Sequence, residues 1–268
     1  QLSTFWQKLQ TSFQHAWMGI ELRLPFKIQR PMLVTLSGID GAGKTAQAEL
    51  LIKAFGECDL DARRVWSRGG SSRFMDAVIH IVRPLLPKKG LDTQSDTRDA
   101  KVKRKGVWLQ NPLLRFGWLS LVVFDLLLSY WTRVLPHLLQ GRVVVGDRYT
   151  YDALVELVIL TGHRSLLFSA AARLLMGLAP HPQLAYFLDV PVEEASRRKP
   201  EELPDLLARQ NLLFHDMASA WSLRVMDADA DLNEVSDQLV QETLRTYYRL
   251  WDQPIRGFSL KSAPWKEA

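Results

Sequence analysis

MLVTLSGIDGAGKTAQAELL, residues 32–51, is the stretch on which the fold turns. Residues 32–36 form a short apolar run of strand length. It leads directly into Gly38-Ile39-Asp40-Gly41-Ala42-Gly43-Lys44-Thr45, a full match to G-x-x-x-x-G-K-[ST]. Residues 46–55 then read as a helix, so strand, glycine loop and helix follow in the order this motif needs. Each residue type has a task. Glycines let the backbone wrap around phosphate oxygens, and the start of the next helix presents unpaired N–H groups and a positive dipole end. Lys44 brings a point charge to the β and γ phosphates, and Thr45 a hydroxyl for Mg²⁺. Gly38, Asp40, Gly41, Ala42, Gly43, Lys44 and Thr45 are therefore the candidate ATP-binding residues, with Lys44 also catalytic.

Beyond this stretch, short apolar runs alternate with longer helical patterns, as in an α/β domain whose parallel sheet is joined by crossover helices. Further strands are expected over 143–145, 184–188 and 223–226, with a weaker candidate at 64–66. Helices are expected over 74–86, 114–139, 165–178, 192–198 and 233–250. The run Gly141-Arg142-Val143-Val144-Val145-Gly146-Asp147 is a strand ending in an aspartate, the position that holds the magnesium shell beside such a loop. Asp147 and Thr45 are the candidate metal residues. Residues 87–106 are polar and turn-rich and read as an exposed loop, with the charge run at 101–105 a solvated surface rather than a nucleic-acid site. Residues 113–131 are nearly long enough to span a membrane, but Arg115 and Asp125 favour a fully buried core helix, and membrane contact is not expected. Three regions result: an amphipathic helical extension over 1–30, the phosphate-loop domain over 31–252, and a tail over 253–268.

The 268 residues, 47% of them apolar, suffice for a full core. A single cysteine, Cys58, leaves no disulfide within the chain and no cysteine cluster for a metal, as expected in the cytoplasm. The first segment lacks the basic stretch, apolar core and small-residue cleavage site of a secretory signal. A net charge of +5 favours anionic partners without choosing among them.

These stretches together resemble the thymidylate kinase family of P-loop nucleoside monophosphate kinases, over roughly residues 31–250. SGIDGAGKTAQAELL is similar to that family's phosphate loop, where Asp40 would face the acceptor sugar. VWSRGGSS resembles the loop after the second strand and makes Arg68 a candidate clamp on the acceptor phosphate. GRVVVGDRY resembles the Asp-Arg-Tyr motif, which gives Asp147 to magnesium and Arg148 to the acceptor and the transferred phosphate. LDVPVEEASRR resembles the strand entering the lid, where Arg197 and Arg198 would reach the ATP phosphates; residues 199–210 would form that lid. The resemblance implies a doubly wound five-stranded sheet in the order 2-3-1-4-5, ATP and Mg²⁺, and transfer to a nucleoside monophosphate, dTMP first. Lys44, Asp147, Arg148 and Arg198 would be the catalytic set, and Asp40, Arg68 and Arg148 would bind the acceptor. A homodimer and an upstream domain are further partners to be considered. The chain departs from the family's pattern on the acceptor side. Leu126 stands near the place of a base-contacting arginine, Asp152 replaces a small hydroxyl residue, and Ala46 replaces a second threonine. Those departures keep two alternatives open: a nucleotide-binding regulatory module, and a kinase for another phosphorylated small molecule.

Overall fold

The computed structural model describes residues 29–67, 80 and 112–250. Arg68, the extension over 1–28, the loop over 87–106 and the tail over 253–268 lie outside the described residues, as does all but His80 of the helix expected over 74–86.

The five strands are β1 (Met32–Ser37), β2 (Ala62–Trp66), β3 (Val143–Asp147), β4 (Leu184–Asp189) and β5 (Arg224–Asp227). They form one sheet in the order β2-β3-β1-β4-β5, with every neighbouring pair parallel. The order expected from the resemblance is the order observed. All six residues of β1 and all five of β3 are buried, because these central strands are covered on both faces and so read as continuous apolar runs. β2 and β5 are the edges, and they expose Arg63, Arg64 and Arg224, charges that discourage pairing with a further strand.

The flanking helices are α1 (Lys44–Glu57), α2 (Pro112–Arg133), α3 (Leu135–Leu139), α4 (Thr150–Thr161), α5 (Ala170–Leu178), α6 (Val192–Arg198), α7 (Pro204–Trp221) and α8 (Leu232–Leu250). α1 packs on α8 and against β2 and β3, while α7 packs on α4 and α6. Three readings of the sequence need correction. The single helix expected over 114–139 is two, since Pro136 has no N–H to return to the carbonyl of Thr132 and the helix stops at Arg133. The helix expected over 165–178 is a 3₁₀ turn, Arg164–Phe168, followed by α5, which Ser169 starts afresh by accepting a hydrogen bond from the Ala172 N–H at 3.2 Å. α2 is also not fully buried. Its Leu119, Val122, Val123, Leu126, Leu127 and Tyr130 face the core, but Phe116, Phe124, Leu128 and Trp131 are exposed. By length and composition residues Arg115–Leu139 would pass for a membrane span.

Candidate active site

Parallel strands bring their carboxyl ends to one edge of the sheet, and the ends of β1 and β3 supply the candidate site. The loop after β1 is fixed by close approaches. At Gly38 (φ +149°) an added Cβ would lie 2.7 Å from the Leu188 carbonyl oxygen, and at Gly41 (φ +94°) 2.6 Å from that of Ala195 on α6. Only glycine allows both the backbone conformation and the contact. Lys44 opens α1 with its side chain buried, and Nζ donates to the carbonyls of Gly38 and Ile39, each at 2.7 Å. The loop thus folds around the ammonium group that phosphate oxygens can later engage.

The neighbouring position tests whether a cation fits. β3 is paired with β1 in a register that sets Asp147 beside Leu36, and the Thr45 hydroxyl donates to Asp147 Oδ2 at 2.8 Å. A hydroxyl and a buried carboxylate, both oxygen donors, suit Mg²⁺, which is normally held by one or two such groups plus phosphates and water. No cluster of three or more His, Cys, Asp or Glu suited to a metal occurs among the described residues, so nucleotide oxygens would have to complete the shell. Arg64 of β2 sits between Glu49, at 2.9 Å, and Asp147, at 3.9 Å.

On the other side of the loop, Arg148 adopts φ +72° and donates its backbone N–H to the Leu36 carbonyl at 3.1 Å. Its guanidinium is hydrogen-bonded to Asp40. These two residues, with Gly38, Asp152, Val155, Glu156, Gln210 and Phe214, line a small open pocket. Asp152 performs a structural task as well: its Oδ2 accepts the Tyr149 N–H at 3.1 Å and so starts α4.

The charges are strongly coupled. Burial, reinforced by Arg148, pulls the Lys44 ammonium down to about 8 against the opposing pull of Asp152, Asp40 and Asp147. Burial pushes the Asp152 carboxyl up, and Lys44, Arg148 and the nearby Ser37 hydroxyl act the other way. For Arg148, burial opposes the charge, but Asp152, Asp40, Glu156 and Asp147 outweigh it and raise its pKa.

No family model matches the chain. A probable thymidylate kinase of Pyrococcus abyssi is 27% identical over 221 residues, covering 79% of this chain and 95% of its own length. One of Archaeoglobus fulgidus is 24% identical over 226 residues, covering 82% and 97%. The crystal structure of thymidylate kinase from Ehrlichia chaffeensis superposes with a TM-score of 0.51 at 18% identity, covering 80% of this chain and 99% of that one. The chain is thymidylate kinase-like.

In this thymidylate kinase-like chain, the sequence-predicted residues fall into three groups. Gly38, Asp40, Gly41, Ala42, Gly43, Lys44, Thr45, Asp147 and Arg148 gather around one loop. Arg198 reaches toward the same loop, donating to the Gly41 carbonyl at 3.4 Å while also held by Glu194 at 2.7 Å. Arg197 is turned to solvent and pairs with Glu194 as well. Of the lid expected over 199–210, residues 199–203 precede α7 and the rest forms the first part of that helix. Leu126, expected near the place of the family's base-contacting arginine, is in the core. Glu156, Gln210 and Phe214 were missed. The signal for them was spacing: Asp152 and Glu156 are four apart on α4, as Gln210 and Phe214 are on α7, so each pair shares a helix face.

The lowered Lys44 pKa gives a first prediction. ATP phosphates favour the charged ammonium, so between pH 8 and pH 10 nucleotide binding should take up a proton and weaken as pH rises. Titration calorimetry at pH 9 in two buffers of different ionisation heat measures that uptake; equal heats in both would show that Lys44 does not change its protonation on binding.

Proposed function

We propose that the chain is an ATP-dependent kinase that transfers the γ-phosphoryl group to a nucleoside monophosphate, with dTMP the first candidate. The observation that carries the reading is the pairing of Thr45 with Asp147 beside buried Lys44, facing the Arg148–Asp40 pair across one loop. Such a site needs two things, charge neutralisation around a transferring phosphoryl and alignment of donor with acceptor. The similarity to proteins described as probable thymidylate kinases supports dTMP as acceptor.

The proposed sequence of events uses residues already located. The loop N–H groups and Lys44 hold the β and γ phosphates, and Lys44 exchanges its bonds to the Gly38 and Ile39 carbonyls for bonds to phosphate oxygens. Arg148 orients the acceptor phosphate, and Asp40 both holds Arg148 and accepts a hydrogen bond from a hydroxyl of the acceptor sugar. An oxygen of the acceptor phosphate forms a bond to the γ phosphorus as the bond from that phosphorus to the β–γ bridging oxygen breaks, and ADP leaves with the electron pair. Lys44 and Arg148 stabilise the charge that spreads over the transferring group. When Mg²⁺ is bound, held by Thr45 and Asp147, it adds further neutralisation of the β and γ oxygens. Arg198, the last residue of the helix that rests on Gly41, would swing from Glu194 to the ATP phosphates, with Arg68 a second clamp on the acceptor. We assign the reaction to the cytoplasm, consistent with the single cysteine. The exposed apolar face of α2, with Phe116, Phe124 and Trp131, is where a second copy would dock in a homodimer.

The test is ADP release from ATP·Mg²⁺ with a panel of nucleoside monophosphates. Strong acceleration by dTMP is the expected result; ATP binding without acceleration by any acceptor would replace the kinase with a regulatory module. In the same assay, Asp147→Asn should raise the Mg²⁺ concentration needed for half-maximal rate about 10- to 100-fold, the usual cost of disturbing a group that supports a metal. An unchanged Mg²⁺ requirement would remove Asp147 from the metal shell.

A further inference from the structure

At the edge of the phosphate loop, α6 sets one carboxylate against two guanidinium groups. Glu194 Oε1 accepts a hydrogen bond from Arg198 Nε at 2.7 Å, and the other carboxylate oxygen forms an ion pair with Arg197. Spacings of three and four residues put all three side chains on one side of the helix. Their surroundings differ. The Glu194 side chain is 16% exposed, against 36% for Arg198 and 79% for Arg197. Arg198 also donates through Nη1 to the Gly41 carbonyl at 3.4 Å, a long bond to the loop assigned to the ATP phosphates. Backbone packing fixes the carboxylate in place. The Ala195 carbonyl, one residue after Glu194, is pressed so closely on Gly41 that an added Cβ there would lie 2.6 Å away. Glu194 is thus held at the loop, while its two cations are on longer and more exposed side chains.

This arrangement constrains how Arg198 can serve ATP. To reach phosphate oxygens its guanidinium must give up the bond to Glu194. A mostly buried carboxylate left without a cation is costly, and it would repel the arriving phosphates. One arginine alone would therefore work against itself. Two arginines on one carboxylate remove the conflict, because one can leave while the other stays. Arg198 touches the loop and is the one placed to leave. Arg197 extends into solvent, where a long side chain adjusts its position at little cost. We propose that Arg197 and Glu194 are positioning residues for Arg198: Arg197 keeps the Glu194 carboxylate neutralised as Arg198 passes to the ATP phosphates. This inference rests on the kinase reading, in which Arg198 serves those phosphates, and it departs from the expectation that both arginines reach ATP. Glu194 also gives Arg198 a defined resting place beside the loop, so binding ATP exchanges one partner for another without first ordering a free side chain.

The experiment measures calorimetric ATP·Mg²⁺ affinity, and kcat/KM for ATP, in the full chain carrying Arg197→Ala, Glu194→Gln or both. Arg197→Ala should weaken ATP about five- to tenfold, between the worth of an exposed ion pair and that of a hydrogen bond to a buried charge. Glu194→Gln keeps an oxygen for Arg198 Nε but leaves no charge to strand, so ATP should bind at least as tightly as to the native chain. The deciding quantity is the cost of Arg197→Ala measured in the Glu194→Gln chain. With no carboxylate to neutralise, that cost should vanish. An equal cost in both backgrounds, the mark of an Arg197 that touches ATP or acts through its field alone, overturns the inference. So does native affinity in Arg197→Ala, and so does weaker binding in Glu194→Gln. If no nucleoside monophosphate speeds ADP release, the kinase reading fails, and the ATP affinities still decide this inference; if the native chain does not bind ATP, both fall.

Discussion

Lys44→Ala is expected to lower the rate of phosphoryl transfer by about 10²- to 10³-fold or more, the usual loss when a preorganised donor to developing charge is removed. The structure separates this effect from unfolding. Nζ makes two hydrogen bonds to loop carbonyls and lies 3.8 Å from Asp40, and these contacts are offset by the cost of burying an ammonium, visible in its pKa of about 8. The net change in stability should therefore be small, about 1–2 kcal/mol, because the loop retains its other contacts. Thermal unfolding and ADP release measured on the same preparation give both quantities. A variant that is folded and still transfers phosphoryl at the native rate would disprove the assignment of this loop to the donor phosphates.

Gly41→Ala should have the next largest effect, and through a different cause. The new Cβ would lie 2.6 Å from the Ala195 carbonyl oxygen and 3.0 Å from its Cα, both backbone atoms of α6 that cannot turn aside. Strain from φ +94° adds roughly 1–2 kcal/mol. The loop or α6 must shift, and since Arg198 lies on α6 and donates to the Gly41 carbonyl, the shift reaches the ATP clamp. ATP affinity should fall at least tenfold, about 1.4 kcal/mol. Gly162→Ala supplies the comparison. Gly162 (φ +71°) ends α4 with open space around its Cβ position, so it incurs the backbone strain alone. It should lower the unfolding temperature and leave ATP affinity unchanged. Equal loss of ATP affinity in both variants would mean that strain, not the contact with α6, is responsible.

The ATP side was legible in the sequence because its information is local. Residues 32–45 contain strand, turn and phosphate loop in one run, and Asp147 ends an apolar run that can only be a covered strand. The edges of the elements drifted by a few residues, as at β3, which continues through Gly146 to Asp147. The acceptor side was less legible for a physical reason. Glu156, Gln210 and Phe214 come together only when α4 and α7 pack, and those two helices were not recognised. α4 is apolar almost all round, being buried on most sides, and α7 begins with Pro204-Asp205 after a turn-rich stretch that reads as a lid. α2 misled in the opposite direction. Its apolar composition suggested complete burial, but Phe116 and Phe124 stand outside the fold, and composition alone does not tell a covered face from an uncovered one.

Asp152 also bears on how such a pocket can evolve. One of its oxygens begins a helix and the residue lines the candidate pocket, so a mutation that reshapes the pocket here is also a folding mutation. Routes to a new acceptor are confined to residues that can still take the Tyr149 N–H, chiefly asparagine, serine and threonine. Asparagine is one nucleotide change away from aspartate, so the most accessible mutational step removes the pocket's extra charge and keeps its scaffold. Substrate choice at this position can drift without the protein first having to survive a misfolded intermediate.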